Sequence, residues 1–239
     1  MEVARSTIEI LEKTAVATVA TVLRQMGIKS TWMLGPRPIL SGQRRVAAPA
    51  FTLRFIPVRE DIPTDVSVTG PTSPRAVLDK IPQGAIIVAD ALGLQKAGVF
   101  GDIICARMMH LGIAGLITDG PIRDIVGLTR LGWPIWANGT AAPPSPAGLH
   151  CADSQVPVAC GGIAVFPGDI MVGDDDGVVA IPASIADEVA RQASEKDRFE
   201  EWVYEQVREG AALDGLYPPN DETEKRYLKH VETMARASR

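Results

Sequence analysis

The chain has 239 residues, 46% of them hydrophobic and 22% charged, enough for one sizeable core and unlike a disordered segment. Its net charge of −5 is spread along the sequence, and the nearest thing to a basic cluster, Arg44 with Arg45, has no interleaved aromatics, which argues against nucleic acid as a direct ligand. No apolar run reaches the roughly 18 residues of a membrane span, and the opening residues lack a signal-peptide pattern.

Cys105, Cys151 and Cys160 form no C-x-x-C pair and leave one over in any disulfide scheme, so reduced thiols and a cytoplasmic location are expected. His110, His150 and His230 are equally scattered, which disfavours a zinc site.

In chain order, Ser6 and Glu9 have capping-box spacing, and Ile8, Leu11, Ala15, Val19, Val22 and Met26 recur every three or four residues up to Gly27. This predicts one amphipathic first helix. Phe51, Leu53 and Phe55 alternate with Thr52 and Arg54, as in a strand with one buried face, and residues 59–83 read as a loop with some short structure. A buried strand at 85–89, a helix at 102–111 and a strand at 114–118 ending on Asp119-Gly120 indicate α/β alternation. Short apolar runs at 134–137, 162–166, 170–172 and 177–181 predict consecutive strands, and Asp176-Gly177 between the last two marks a turn rather than a cation site. Ser184 can cap a long charged helix to Gly210, and a turn through Tyr217-Pro218-Pro219 leads to a last helix from about Asp221. The expected organisation is an α/β body over residues 1–182 and a helical arm over residues 183–239.

The densest chemistry lies between Gly98 and Asp124. Gly98 and Gly101 permit close backbone approach, and the amides opening the following helix can receive a carboxylate or phosphate. Arg123 and Asp124 follow the Asp119-Gly120 turn and place a planar cation beside a hard anionic oxygen, which suits a 2-oxo acid held with magnesium. Read from the residues alone, the same pair also fits a surface ion pair after a turn. Two glycines without a following acidic residue make no dinucleotide fingerprint, so a nicotinamide or adenosylmethionine role finds no support.

The run G-D-I-I at 101–104 followed by G-I-A-G-L-I-T-D-G-P-I-R-D at 112–124 resembles the family containing 4-hydroxy-4-methyl-2-oxoglutarate aldolase and the regulator of ribonuclease E activity. Two further blocks agree, P-I-W-A-N-G at 134–139 and P-G-D-I-M-V-G-D-D-D-G-V-V-A-I-P at 167–182, and the likeness spans about residues 8 to 210. The resemblance implies a swivelling β/β/α body assembled as trimers or hexamers with active sites at subunit interfaces. It implies that Gly101, Asp102, Ile103 and Ile104 bind a small 2-oxo acid through their backbone, that Arg123 binds the same substrate, and that Asp124 ligates Mg²⁺ or Mn²⁺. The implied reaction is metal-assisted cleavage of a 4-hydroxy-2-oxo acid to pyruvate, with oxaloacetate decarboxylation as a second activity.

A base must take the C4 hydroxyl proton, and Asp102 is the candidate, with a favourable charge at a helix N-terminus as its structural alternative. Asp90 can line the pocket or accept loop hydrogen bonds, and Glu195, Glu200 and Glu201 read as a solvated helix face. Ala20-Thr21-Val22-Leu23 departs from the family's S-D-A-L, and the tail beyond Gly210 is longer than in compact members. The competing reading is a non-enzymatic inhibitor of ribonuclease E, which has no need of the Arg123-Asp124 pair. A demethylmenaquinone methyltransferase lacks its nucleotide loop here.

Overall fold

The computed structural model describes residues 3–61 and 64–237, and two positions of the expected 59–83 loop, 62 and 63, lie outside them. The first predicted helix is two helices, α1 (Arg5–Leu11) and α2 (Val16–Gln25). The N–H groups of Ala15 and Val16 are drawn instead to Asp197 Oδ2 at 3.4 Å and Asp174 Oδ2 at 3.0 Å, carboxylates far away in sequence. Ser6 caps nothing; the first helix starts after Ala4 with no side-chain cap.

The remaining elements are β1 (Arg37–Pro38), β2 (Val46–Pro57), α3 (Thr64–Thr69), α4 (Pro74–Val77), β3 (Ile86–Asp90), α5 (Asp102–His110), β4 (Gly115–Thr118), α6 (Ile125–Leu131) and β5 (Ile135–Ala137). They are followed by β6 (Leu149–Ser154), β7 (Val158–Cys160), β8 (Ile163–Val165), β9 (Ile170–Asp174), β10 (Gly177–Ile181), α7 (Ala186–Arg208) and α8 (Asp221–Ala237). The sequence reading omits β1, α6, β6 and β7. Ser184 falls in a short 3-10 turn before α7 and does not cap it.

The main sheet runs β1-β5-β4-β3-β2-β9-β10, with β6 also on β2, and is nearly closed. Its organiser is β2, twelve residues long. The first part pairs antiparallel with β9, Val46 opposite Gly173, and the second pairs parallel with β3, Ala50 opposite Ile86, and antiparallel with β6. Side chains alternate along it. Val46, Ala48 and Ala50 enter a central core with Ile86, Val88, Ile117, Trp136, Met171 and Val178. On the other face Ala47 joins a core beneath α1, α2 and the first half of α7, while Phe51, Leu53 and Phe55 join a third core under α5 and α6. Thr52, expected on an open face, is fully buried and donates its hydroxyl to the Val156 carbonyl at 2.6 Å, because β7 covers that side.

Trp136 ties the closure together. Its indole is fully buried, donates to the Asp174 carbonyl at 2.8 Å, and lies against Gly173, where a Cβ would come within 2.7 Å of the ring. The last helices form a separate small cluster of Trp202, Val203 and Leu216 with Phe199 and Tyr227. Among the described residues no helix is long and apolar enough to cross a membrane.

At the strand ends next to the site, two buried carboxylates replace missing backbone partners. Asp119 accepts from the amides of Ala91 (2.7 Å), Gly93 (3.2 Å) and Gly161 (3.4 Å). Asp90 accepts from Leu92 at 2.9 Å and Ala159 at 3.1 Å. Burial pushes the Asp119 carboxyl above its usual range against the pull of the Ala91 amide, and the neighbouring Asp90 charge adds to the rise.

Asp119→Ala strands three inward amides. The variant is expected to lose about 3 kcal/mol of stability, since each unpaired buried donor costs roughly 1–3 kcal/mol and part is recovered by relaxation; urea unfolding measures it, and a loss under about 1 kcal/mol would refute the hub. All three thiols are free and buried, and burial raises those of Cys105 and Cys151 to about 12 and that of Cys160 well above the usual value. Ellman's reagent at pH 8 should therefore find no fast thiol in the native chain and three after unfolding in guanidinium.

Candidate active site

The pocket is built where two loops are stitched together. The Val99 amide donates to the Pro121 carbonyl at 2.8 Å and the Arg123 amide to the Phe100 carbonyl at 3.0 Å, while Gly98 donates to Pro143 at 2.9 Å. This brings the start of α5 against the segment leading into α6. Gly98 and Gly101 are required by closeness. A Cβ on Gly98 would meet Arg123 Cβ at 2.9 Å and the Ala141 carbonyl at 3.0 Å, and one on Gly101 would overlap Asp124 Oδ2.

Asp124 stands immediately before α6 with φ 62° and ψ 44°, in the left-handed region that aspartate tolerates better than most residues. That backbone turns its carboxylate back toward Gly101 instead of along α6. Arg123 donates its Nε to Asp124 Oδ2 at 3.0 Å, and the two side chains keep 34% and 38% of their exposure, so both are open to a ligand.

Asp102 opens α5. Its Oδ1 accepts from the Ile103 amide at 2.8 Å, and its other oxygen sits over Gly127 of α6, where no side chain could fit. One of the amides expected to cradle substrate is therefore engaged by the neighbouring carboxylate, while the first-turn amides of Asp102 and Ile104 have no partner within the helix. Cys105, one turn further, is held protonated by burial first and then by the charges of Asp102 and Asp124.

The cavity is about 270 Å³ and is lined by Gly98 to Ile104, Arg123 and Asp124 on one wall. All six residues singled out from the sequence, Gly101, Asp102, Ile103, Ile104, Arg123 and Asp124, line it together. The rest of the lining was not anticipated. It consists of Ser67, Val68, Pro74 and Arg75 from α3 and α4, and Pro144, Ser145 and Pro146. These short helices carry no amphipathic period, and the only signal available was the Ser73-Pro74 start, in which Ser73 accepts from the Ala76 amide at 3.3 Å.

Asp90 lies outside this cavity and serves the loop amides described above. Asp174 closes the β9–β10 turn, where it accepts from Asp176 at 3.0 Å. Glu195 pairs with Arg191 and Glu200 with Lys196 on α7, and Glu201 borders the groove between α7 and α8.

Among the described residues no group of three or more His, Cys, Asp or Glu side chains is placed to hold a metal. The donors at hand are one partly exposed carboxylate, Asp124, with Asp102 nearby and open space in front. That set fits Mg²⁺ or Mn²⁺, which takes one or two carboxylates and completes its shell with water and substrate oxygens.

Comparison with known proteins agrees with this architecture. A family model described as RraA-like, Aldolase/RraA, matches residues 15–180. A protein of Halalkalibacterium halodurans named "Putative 4-hydroxy-4-methyl-2-oxoglutarate aldolase" is 39% identical over 133 residues, which make up 56% of this chain and 60% of that protein. The crystal structure of Streptomyces coelicolor RraAS2, titled an unusual member of the RNase ES inhibitor RraA protein family, superimposes with a TM-score of 0.75 at 33% identity, covering 84% of this chain and 97% of that one. An uncharacterized protein from Pseudomonas syringae pv. tomato gives 0.79 at 26% identity over 91% and 99% of the two chains. With its nearly closed sheet, its stitched loops and a match over most of its length, the chain belongs to the RraA-like family.

Proposed function

We propose that the chain is a divalent-metal-dependent carbon–carbon lyase that cleaves 4-hydroxy-2-oxo acids, such as 4-hydroxy-4-methyl-2-oxoglutarate, to pyruvate, and that also decarboxylates oxaloacetate. The observation that carries this is the meeting of Arg123 and Asp124 with the glycine-opened start of α5 in one cavity.

Asp124 would hold Mg²⁺ or Mn²⁺, and the ion when bound supplies a Lewis acid for the negative charge that develops on the 2-oxo oxygen. Arg123 orients the substrate's carboxylate and 2-oxo group with its planar donors and adds positive charge where the product enolate forms. The unpartnered amides at the start of α5 receive carboxylate oxygens. Asp102 is the candidate for accepting the C4 hydroxyl proton as the C3–C4 bond breaks. The Ile103 amide holds its Oδ1 in place.

In this reading residues 1–182 are the catalytic body and residues 183–239 an arm, working in the cytoplasm as a homotrimer or homohexamer. Ile103 lines the pocket yet is 80% exposed, and Val126, two residues after Asp124, is 68% exposed. Such apolar groups beside a charged cavity support a neighbouring copy covering its rim. A solution mass of a single chain would overturn the assembly.

The second reading, an inhibitor of a ribonuclease, is supported by the 33% identity to RraAS2 and its title. Pyruvate release from a panel of 4-hydroxy-2-oxo acids and oxaloacetate separates the two. The native chain should need Mg²⁺ or Mn²⁺ and lose turnover in chelator, and Asp124→Asn, which keeps the left-handed backbone, should lower kcat/KM by about 100-fold or more. Turnover that ignores chelator and survives Asp124→Asn rejects the mechanism, and no turnover with any substrate favours the inhibitor. Gly101→Ala should displace the Asp124 carboxylate and raise the metal concentration needed for half activity by about tenfold or more at little cost in melting temperature; an unchanged metal requirement would show that Asp124 does not hold the ion.

A further inference from the structure

The cavity lining beyond Gly98–Ile104, Arg123 and Asp124 carries its own polar groups, which the reaction as described does not use. Arg75, on α4, lines the cavity and is exposed. Arg107 is paired with Asp79 and Arg123 with Asp124 at the reacting end, whereas Arg75 has no carboxylate partner among the described residues. Ser67, on α3, lines the same wall although only 7% exposed, and its Oγ lies 2.9 Å from Nδ1 of His150 on β6. A buried hydroxyl has a single hydrogen to give. When His150 carries its hydrogen on Nδ1 and donates it to Ser67, the Ser67 hydrogen is left to point into the cavity. Ser145 and the rings of Pro74, Pro144 and Pro146 complete this side.

A guanidinium without a carboxylate partner and a hydroxyl lining the same cavity can receive one more carboxylate, separate from the one that Arg123 and the α5 amides would take. The two walls together present two cationic groups to a cavity of about 270 Å³, room for a small acid with a charge at each end. We propose that Arg75, with Ser67 oriented by His150, forms a distal anion subsite that makes this chain select dicarboxylic over monocarboxylic 2-oxo acids. Arg75 and Ser67 are specificity-determining residues, and His150 is a positioning residue acting through Ser67. This rests on the lyase reading for the orientation of the substrate, with its reacting end at Asp124.

The test compares ligands that differ only at the far end. Turnover is measured with 4-hydroxy-2-oxoglutarate and with 4-hydroxy-2-oxopentanoate, and binding of the non-cleaved pair 2-oxoglutarate and 2-oxobutyrate is measured by calorimetry with Mg²⁺ present. For Arg75→Gln, KM for the dicarboxylate and Kd for 2-oxoglutarate should rise about 10- to 100-fold with kcat within threefold, while both monocarboxylates are unchanged. Ser67→Ala should show the same pattern more weakly. His150→Gln, which can still donate to Ser67, should retain more of the preference than His150→Leu.

If the native chain turns over both substrates equally, or if Arg75→Gln weakens both ligand classes alike, the subsite is refuted while the lyase reading stands. If no substrate is cleaved yet 2-oxoglutarate binds in preference to 2-oxobutyrate and loses that preference in Arg75→Gln, the subsite stands and the lyase reading falls. Absence of any preference between the two ligands in the native chain refutes it outright.

Discussion

The constraint on which the site depends is the stitching of two loops by main-chain hydrogen bonds, Val99 to Pro121 and Arg123 to Phe100. Backbone pairing fixes the distance between α5 and the start of α6 before any side chain contributes. The side chains then have few choices. Because Gly101 has no Cβ and Asp124 adopts a left-handed backbone, the carboxylate occupies the space a side chain would otherwise fill. A charged group is thereby displayed from a rigid frame, which catalysis needs more than it needs many ligands.

The frame is anchored one layer deeper. Asp119 and Asp90 sit where β4 and β3 end, and they turn their oxygens to amides of the following loop, of the β7–β8 turn and of the β7 residue Ala159. Buried carboxylates are costly when unpaired, and here they are paired with several donors each. The carboxylates that look most chemical in the interior are therefore structural, and the ones in the cavity are those with room beside them.

Much of this could be read from the sequence, and the reasons differ from region to region. The Gly98–Asp124 run was legible because glycines, an Asp-Gly turn and a cation–anion pair punctuate a strand–helix–strand unit at fixed spacing. The strands β3, β4, β9 and β10 were legible from short apolar runs, and α5 from its place between two of them. The break between α1 and α2 was not, because it is set by Asp174 and Asp197, over 150 residues distant. Strand β6 escaped notice since His150, Asp153 and Ser154 interrupt its pattern, and β7 because it is only three residues long. The far wall of the cavity was invisible for a similar reason. Ser67 and His150 are 83 residues apart, and nothing in either neighbourhood announces the other.

The twelve residues of β2 carry a consequence for how this chain can vary. Its alternate positions serve three different interiors, Val46, Ala48 and Ala50 the central core, Ala47 the core under α1, α2 and α7, and Phe51, Leu53 and Phe55 the core under α5 and α6. Adding or deleting one residue there would invert every later side chain and scramble three cores at once. Lineages descending from this sequence inherit β2 as a ruler of fixed length.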